Sequence, residues 1–307
     1  MRGRIFKSTG SWYKVETESG ATWDCRLKGK FKLSKTGVTN PIAVGDWVEA
    51  EPEEGQENQG LITEIEERSN YLIRKSVHKT GQAHILASNL DQVVVIASLT
   101  LPRTSLGFID RLLVAAESFG IPARIVFNKV DLLQEDELEY VEALAAMYTD
   151  IGYPALVTSV PKNIGIREFQ SLLEGKTSLL SGHSGVGKST LVNAIAPGLN
   201  RATQEISDFA NKGKHTTTYA EMFRLPGDTL LIDTPGIKEL GLMELEGENI
   251  SLYFPEMREA ASNCRFYNCT HQREPGCAVR EAVDKGVLPL TRYDSYLSMM
   301  ADDDNRR

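Results

Sequence analysis

No run of about 18 consecutive apolar residues occurs in the sequence, which excludes a hydrophobic membrane-spanning helix. The opening residues, MRGRIFKSTGSWYKVE, lack the apolar core of a secretory signal, so a cytoplasmic location is expected. Positive charge is not in surplus: 34 Lys and Arg stand against 42 Asp and Glu, a net charge of −8, which excludes a generic polyanion binder but leaves room for a local basic patch. No internal repeat is present, which excludes a solenoid. Cysteine is scarce. Of the four, Cys264, Cys269 and Cys277 crowd together and Cys25 lies far away, so in a chain without an export signal metal binding is expected before disulfides.

What is there is ordinary for a globular protein: 41% hydrophobic and 25% charged residues, in 307 residues that suffice for two or three domains. Residues 1–70 read as about five short strands (RIFKST, WYKVETES, ATWDCRLKG, DWVEAEP, GLITEIEER) separated by Gly, Asn and Pro. That pattern suggests a small β-barrel. An OB-fold is expected, with an SH3-like barrel as the alternative. Residues 71–241 change character. The buried run DQVVVIASL, the helical GFIDRLLVAAESFG, strand ARIVF, helix EDELEYVEALAAMY, strand PALVTS, helix IREFQSLLEG, strand TSLLS and helix GKSTLVNAIAP alternate, and YAEMFRL and TLLID close the set. Such alternation predicts a mostly parallel sheet covered on both faces. Residues 242–307 read as helical and polar around the Cys/His cluster.

The stretch GHSGVGKST at 182–190 fits Gly-x4-Gly-Lys-Ser between a strand and an apolar helix, the context a phosphate loop requires. Gly182, His183, Ser184, Gly185, Val186 and Gly187 would offer backbone N–H groups to phosphates, helped by the N-terminus of the helix opening at Lys188, Ser189 and Thr190. Lys188 would reach the β- and γ-phosphates, and the Ser189 hydroxyl would bind Mg²⁺. Asp233 and Gly236 in LLIDTPG form Asp-x-x-Gly at the end of a second apolar strand. The carboxylate would hold the Mg²⁺ shell through water and the Gly236 N–H would sense the γ-phosphate.

A phosphate loop does not choose the base. NKVD at Asn128, Lys129, Val130 and Asp131 does, because one carboxylate can accept from both guanine N1 and N2, and adenine has no such donor pair. Asn128 would brace neighbouring loops and the Lys129 stem would cover the base. Thr158, Ser159 and Val160 end the next strand, where a backbone N–H can meet guanine O6. In most GTPases the phosphate loop precedes these motifs. Here the base motif comes first, but the cyclic order is kept, with the cut between Asp-x-x-Gly and the base motif. This predicts a circularly permuted P-loop GTPase domain binding GTP and GDP with Mg²⁺. Since the segment after Gly236 leads into the C-terminal region, nucleotide state is expected to reposition that region.

A barrel, then a permuted GTPase with GHSGVGKST and GKHTTT (213–218), then a Cys/His cluster resembles the RsgA (YjeQ) family of small-ribosomal-subunit biogenesis GTPases along nearly the whole chain. One departure is His183, where the family often has Gln; backbone groups carry nucleotide binding there, so little effect is expected. The resemblance implies late maturation of the small subunit, rRNA contact and hydrolysis stimulated by the subunit. Ile237 follows Asp-x-x-Gly and cannot orient water as a glutamine does there. His215, beside a threonine cluster, is the candidate for that task, supported by the family's corresponding histidine; a solvated loop histidine is the alternative. Thr217 is the expected switch ligand to Mg²⁺, with Thr216 as runner-up.

Cys264-x4-Cys269-x-His271-x5-Cys277 offers three thiolates and an imidazole, a closed set suited to one structural Zn²⁺. Cys25 is expected to be a small buried apolar residue. Arg26, Lys28, Lys30 and Lys32 are spaced two apart, on one face of an extended strand, with Trp12, Tyr13, Trp23 and Phe31 nearby; phosphate contact and base stacking are expected, a merely solvated face being the alternative. Nothing resembles a dimer seam, so a monomer is expected. Two other readings remain: a nucleotide-gated RNA-binding module whose hydrolysis is incidental, separable by partner-dependent turnover, and a permuted GTPase of the large subunit, which the barrel and cluster disfavour.

Overall fold

The computed structural model describes residues 1–28, 41–75, 83–197, 220–233 and 247–301. The chain forms two compact units, one of Met1–Val94, Gln170–Ser181 and Lys188–Gly241, the other of Val95–Phe169, Gly182–Gly187 and Leu242–Arg307.

In the first unit, β1 (Arg2–Ser8), β2 (Tyr13–Thr17), β3 (Thr22–Leu27), β4 (Trp47–Pro52) and β5 (Gln59–Ile65) fall where the alternating runs placed them. β1–β2, β2–β3, β5–β4 and β4–β1 are antiparallel and β3–β5 is parallel, so the ring 1-2-3-5-4 closes on itself as the five-stranded barrel expected of an OB-fold. Its interior is Ile5, Tyr13, Val15, Cys25, Ile42, Val48, Ala50 and Ile62. Cys25 is fully buried there, as expected, and burial pushes its thiol up to about 11.

A hairpin of β6 (Tyr71–Lys75) and β7 (Ala83–Ser88) follows, which the sequence reading did not foresee. Its base is pinned by Asn70, whose amide donates to Leu90 O and accepts from Leu90 N, both at 2.8 Å. Beside it the buried Asp46 carboxylate takes two 2.6 Å bonds from Arg68 and a 2.5 Å bond from the Ser88 hydroxyl. A Cβ on Gly45 would lie 2.1 Å from Ser88 O, so only glycine allows this approach. Arg4 is buried as well, donating to Gly45 O, Asn89 O and the Thr177 hydroxyl. These bonds mount the barrel on β11 (Thr177–Ser181), which runs parallel to β13 (Thr229–Asp233). β12 (Glu221–Leu225) pairs antiparallel with both β13 and β1.

The second unit carries β9 (Ala123–Asn128) and β10 (Ala155–Thr158), parallel and in register from Ala155 opposite Ile125 to Thr158 opposite Asn128. β8 (Gln92–Ala97), hydrogen-bonded beside β9, is wholly buried, as its β-branched run required. α1 (Leu106–Ser118) begins at Ser105, whose hydroxyl accepts from Phe108 N. α2 (Glu135–Asp150) begins with a Gln134–Glu137 capping box and an acidic first turn, which favours the helix dipole. α3 (Ile166–Leu173) lies across the unit boundary in sequence, and α4 (Lys188–Ile195) opens the first unit's last segment. After a 3-10 turn at Gly247–Tyr253 come α5 (Pro255–Ala261), α6 (Ala278–Asp284) and α7 (Leu290–Met300). Their core of Ile250, Phe254, Met257, Val279, Leu288, Tyr296 and Met299 includes Val114 of α1. The C-terminal helices are therefore packed on α1. A nucleotide-driven repositioning of that region would have to break this shared core.

Candidate nucleotide site and metal centre

β9 and β10 end side by side, and their last residues meet. Asn128 accepts from the Thr158 hydroxyl at 3.0 Å and donates to Val186 O at 2.9 Å. The Asn128–Asp131 loop and the Gly182–Gly187 loop are thereby joined by one buried carboxamide. Lys129 adopts φ +67° and sends its ammonium to Leu101 O at 2.5 Å. Val130 is buried, and Asp131 accepts from the Ser159 hydroxyl at 2.6 Å. That hydroxyl also accepts from Lys162 N. The Ser159 N–H donates to Ile164 O, so it is engaged within the loop.

The loop 182–187 is shaped by close approaches. A Cβ on Gly182 would lie 2.2 Å from Ile96 O, and one on Gly187 would lie 2.4 Å from the Asn128 amide nitrogen. Val186 is fully buried, while Ser184, Gly185 and Thr190 are exposed. His183 stacks on Phe108 with ring centroids 4.0 Å apart, a contact the sequence did not reveal. Lys188 and the half-buried Ser189 open α4. Burial pulls the Lys188 ammonium below the ordinary lysine value, and the Asp233 carboxylate opposes this. A desolvated lysine at a helix N-terminus is suited to an anion. His215, Thr217 and Gly236 lie outside the described residues.

The four cluster residues come together: one ligand atom from each of Cys264, Cys269, His271 and Cys277 lies within 4.8 Å of the others. His271 Nδ1 stands 3.6 Å from Cys264 Sγ and 3.5 Å from Cys277 Sγ. Burial raises the Cys269 thiol to about 12, with its neighbouring thiols adding to the shift, and lowers the His271 imidazole. Crowded, desolvated thiols facing an imidazole fit a soft divalent cation, which would stabilise the thiolates and bind the neutral imidazole. Glu274, which carries no motif signal in the sequence, organises the connecting loop. Its carboxylate accepts from Thr270 N, Gln272 N, Arg273 N and the Thr270 hydroxyl, which holds it down at about 2. Tyr293 and Tyr296 donate to His271 O and Thr270 O, each at 2.6 Å.

The expected RNA face is partly neutralised. Arg26 lies 5.1 Å over the Trp12 ring but also pairs with Glu53 at 2.6 Å, and Lys28 pairs with Glu51. Tyr13 belongs to the barrel core. Lys30, Lys32 and Phe31 lie outside the described residues.

An Asn-Lys-Val-Asp loop hydrogen-bonded to a Gly-x4-Gly-Lys-Ser loop that follows it in the chain is the arrangement of a circularly permuted P-loop GTPase. The RsgA GTPase family profile matches residues 65–243 and the RsgA N-terminal domain profile residues 2–62. The chain belongs to the RsgA GTPase family. It is 50% identical over 302 residues to the small ribosomal subunit biogenesis GTPase RsgA of Bacteroides fragilis strain YCH46, covering 98% of this chain and 97% of that one. It is 50% identical over 307 residues to the protein of the same name in Cytophaga hutchinsonii, covering both chains completely. The crystal structure of YjeQ from Thermotoga maritima superposes with a TM-score of 0.79 at 34% identity, covering 100% of this chain and 99% of that one. That of YloQ, a circularly permuted GTPase, gives 0.74 at 30%, covering 100% and 96%.

Proposed function

We propose that this chain hydrolyses GTP while docked on the small ribosomal subunit in its late maturation, and that the subunit stimulates turnover. One observation carries the site: Asn128 holds Val186 O while Ser159 presents Asp131, so base and phosphate recognition form one constellation. The names of the full-length relatives support the ribosomal partner.

Asp131 takes the guanine N1 and N2 hydrogens, and the Lys129 stem lies over the base. With the Ser159 N–H engaged by Ile164 O, the Val160 N–H is the donor left for guanine O6. Residues 182–187 and the start of α4 bind the phosphates, with Lys188 at the β- and γ-groups. Ser189, Thr217 and Asp233 would hold Mg²⁺, which when bound would supply positive charge beside the phosphates. His215 orients the attacking water. Cys264, Cys269, His271 and Cys277 hold one structural Zn²⁺. Residues 1–70 serve as the RNA-binding barrel, with Arg26, Lys28, Lys30 and Lys32 toward rRNA; 71–241 is the GTPase domain and 242–307 the zinc-binding domain. The protein works as a monomer in the cytoplasm. Among the described residues no helix is long and apolar enough to cross a membrane.

The test is GTP hydrolysis by the purified chain alone, with small subunits, and with large subunits. Stimulation by small subunits only is expected, and His215→Ala should abolish it while nucleotide binding persists. Equal turnover in all three conditions would sink the reading and favour a binding module with incidental hydrolysis.

A further inference from the structure

We propose that Arg292, on the C-terminal helix α7, is a positioning residue for nucleotide binding, acting on the phosphate loop through the first turns of α1. The inference rests on reading residues 182–187 as the phosphate loop.

Arg292 is fully buried. Its guanidinium donates to Asp110 Oδ1 at 2.6 Å and to the Glu256 carboxylate at 2.6 and 3.3 Å, and it faces the Phe254 ring at 4.5 Å. The Tyr148 hydroxyl donates to the same Asp110 oxygen at 2.8 Å. A buried ion network is a poor device for stability, because well-packed apolar side chains of the same volume do as well or better. What the planar guanidinium does supply is a fixed geometry. Here it fixes Asp110, and with it the start of α1.

That stretch of chain touches the nucleotide machinery at three points. Phe108, two residues before Asp110, stacks on His183 at 4.0 Å. Pro102 sits 3.4 Å from where a Cβ on Gly185 would stand. Leu101 O receives the Lys129 ammonium. Residues 101–110 therefore form a buttress with one side on the phosphate loop and base motif and its far end pinned by α7. All of these residues belong to one compact unit. Loosening the pin lets the buttress shift, and the loop loses the backing that holds its N–H groups in place. Coupling of this kind is reciprocal: bound nucleotide in turn stabilises the α7 contact.

The test uses the full-length protein, measuring the Kd for fluorescent GDP and the Tm on the same preparations. The variants are Arg292→Lys, which keeps the charge but loses the fork, Phe108→Leu at the other end of the buttress, and the double variant. Leu288→Ala, in the C-terminal core, is the control for simple destabilisation. Each single variant should weaken GDP about tenfold, within the usual range of site-to-site coupling. The double variant should be no weaker than the worse single one, since both break the same connection. Leu288→Ala should lower the Tm and leave the GDP Kd unchanged. A lowered Tm with wild-type GDP affinity in Arg292→Lys overturns the proposal. So do effects that multiply in the double variant, or a Leu288→Ala variant as weak for GDP as Arg292→Lys. Lys188→Ala tests the underlying reading separately: GDP binding undiminished there would mean that residues 182–187 are not the phosphate loop.

Discussion

The carboxamide of Asn128 donates to the backbone oxygen of Val186 across 58 residues of chain, at 2.9 Å in a buried setting. This bond joins the loop proposed to read the base to the loop proposed to hold the phosphates. Removing the donor leaves a buried carbonyl unsatisfied, at a cost of about 1–3 kcal/mol. Asn128→Ala should therefore weaken GTP and GDP together by about ten- to a hundredfold. Equilibrium binding of both nucleotides checks this; unchanged affinity would mean that the brace is dispensable.

Asp131 sits with its carboxylate against the Ser159 hydroxyl. Asp131→Asn replaces one acceptor with a donor. Guanine affinity should fall and xanthine nucleotides should gain, because xanthine carries an acceptor where guanine has its exocyclic amine. Competition between GDP and XDP for the variant decides the matter, and loss of both without a change of preference would place Asp131 away from the base.

Glu274 holds the cluster loop through four hydrogen bonds to its carboxylate. Its folded value is depressed to about 2, so its contribution is complete above the ordinary glutamate range and is lost as pH falls from there toward 2. Glu274→Gln should lower the Tm at pH 7, and the gap from wild type should narrow on acidification below about pH 4.5. Metal content, measured on the same samples, should fall earlier in the variant as pH drops. A pH-independent gap would assign the effect to lost packing.

Arg26 and Lys28 face Glu53 and Glu51, so these two cations are held in check by their own neighbours. Glu51→Gln with Glu53→Gln frees both cations. Affinity for a single-stranded RNA oligonucleotide should rise. The slope of log K against log salt should steepen by about 0.7 for each cation freed to meet a phosphate. An unchanged slope would move the RNA contact off this strand.

Much of this was legible in the sequence because each signal was local. The barrel strands showed as runs between turn residues, β8 as a buried β-branched run, and β9 and β11 as short apolar stretches between helical patterns. The permutation could be read because every motif brought its own strand or helix with it, whatever its place in the chain. What stayed hidden depends on partners distant in sequence. Arg292 looks like one more charge in a polar helix until Asp110 and Glu256 close around it. The acids opposite Arg26 and Lys28, Glu53 and Glu51, lie 27 and 23 residues further along the chain. The β6–β7 hairpin is short and acquires its place from Asn70 and Asp46, not from its own pattern.

Arg4 is made early and its partner Thr177 late, 173 residues further along. At roughly 5–20 residues per second, a ribosome takes on the order of 10–30 s to cover that distance. During that interval the barrel ring can close from its own strands, but the face bearing Arg4 has no β11 to lie against. The growing chain must keep that face soluble in water until the strand leading into the phosphate loop emerges. Burial of this guanidinium then ties completion of the nucleotide-binding half to the first strand made.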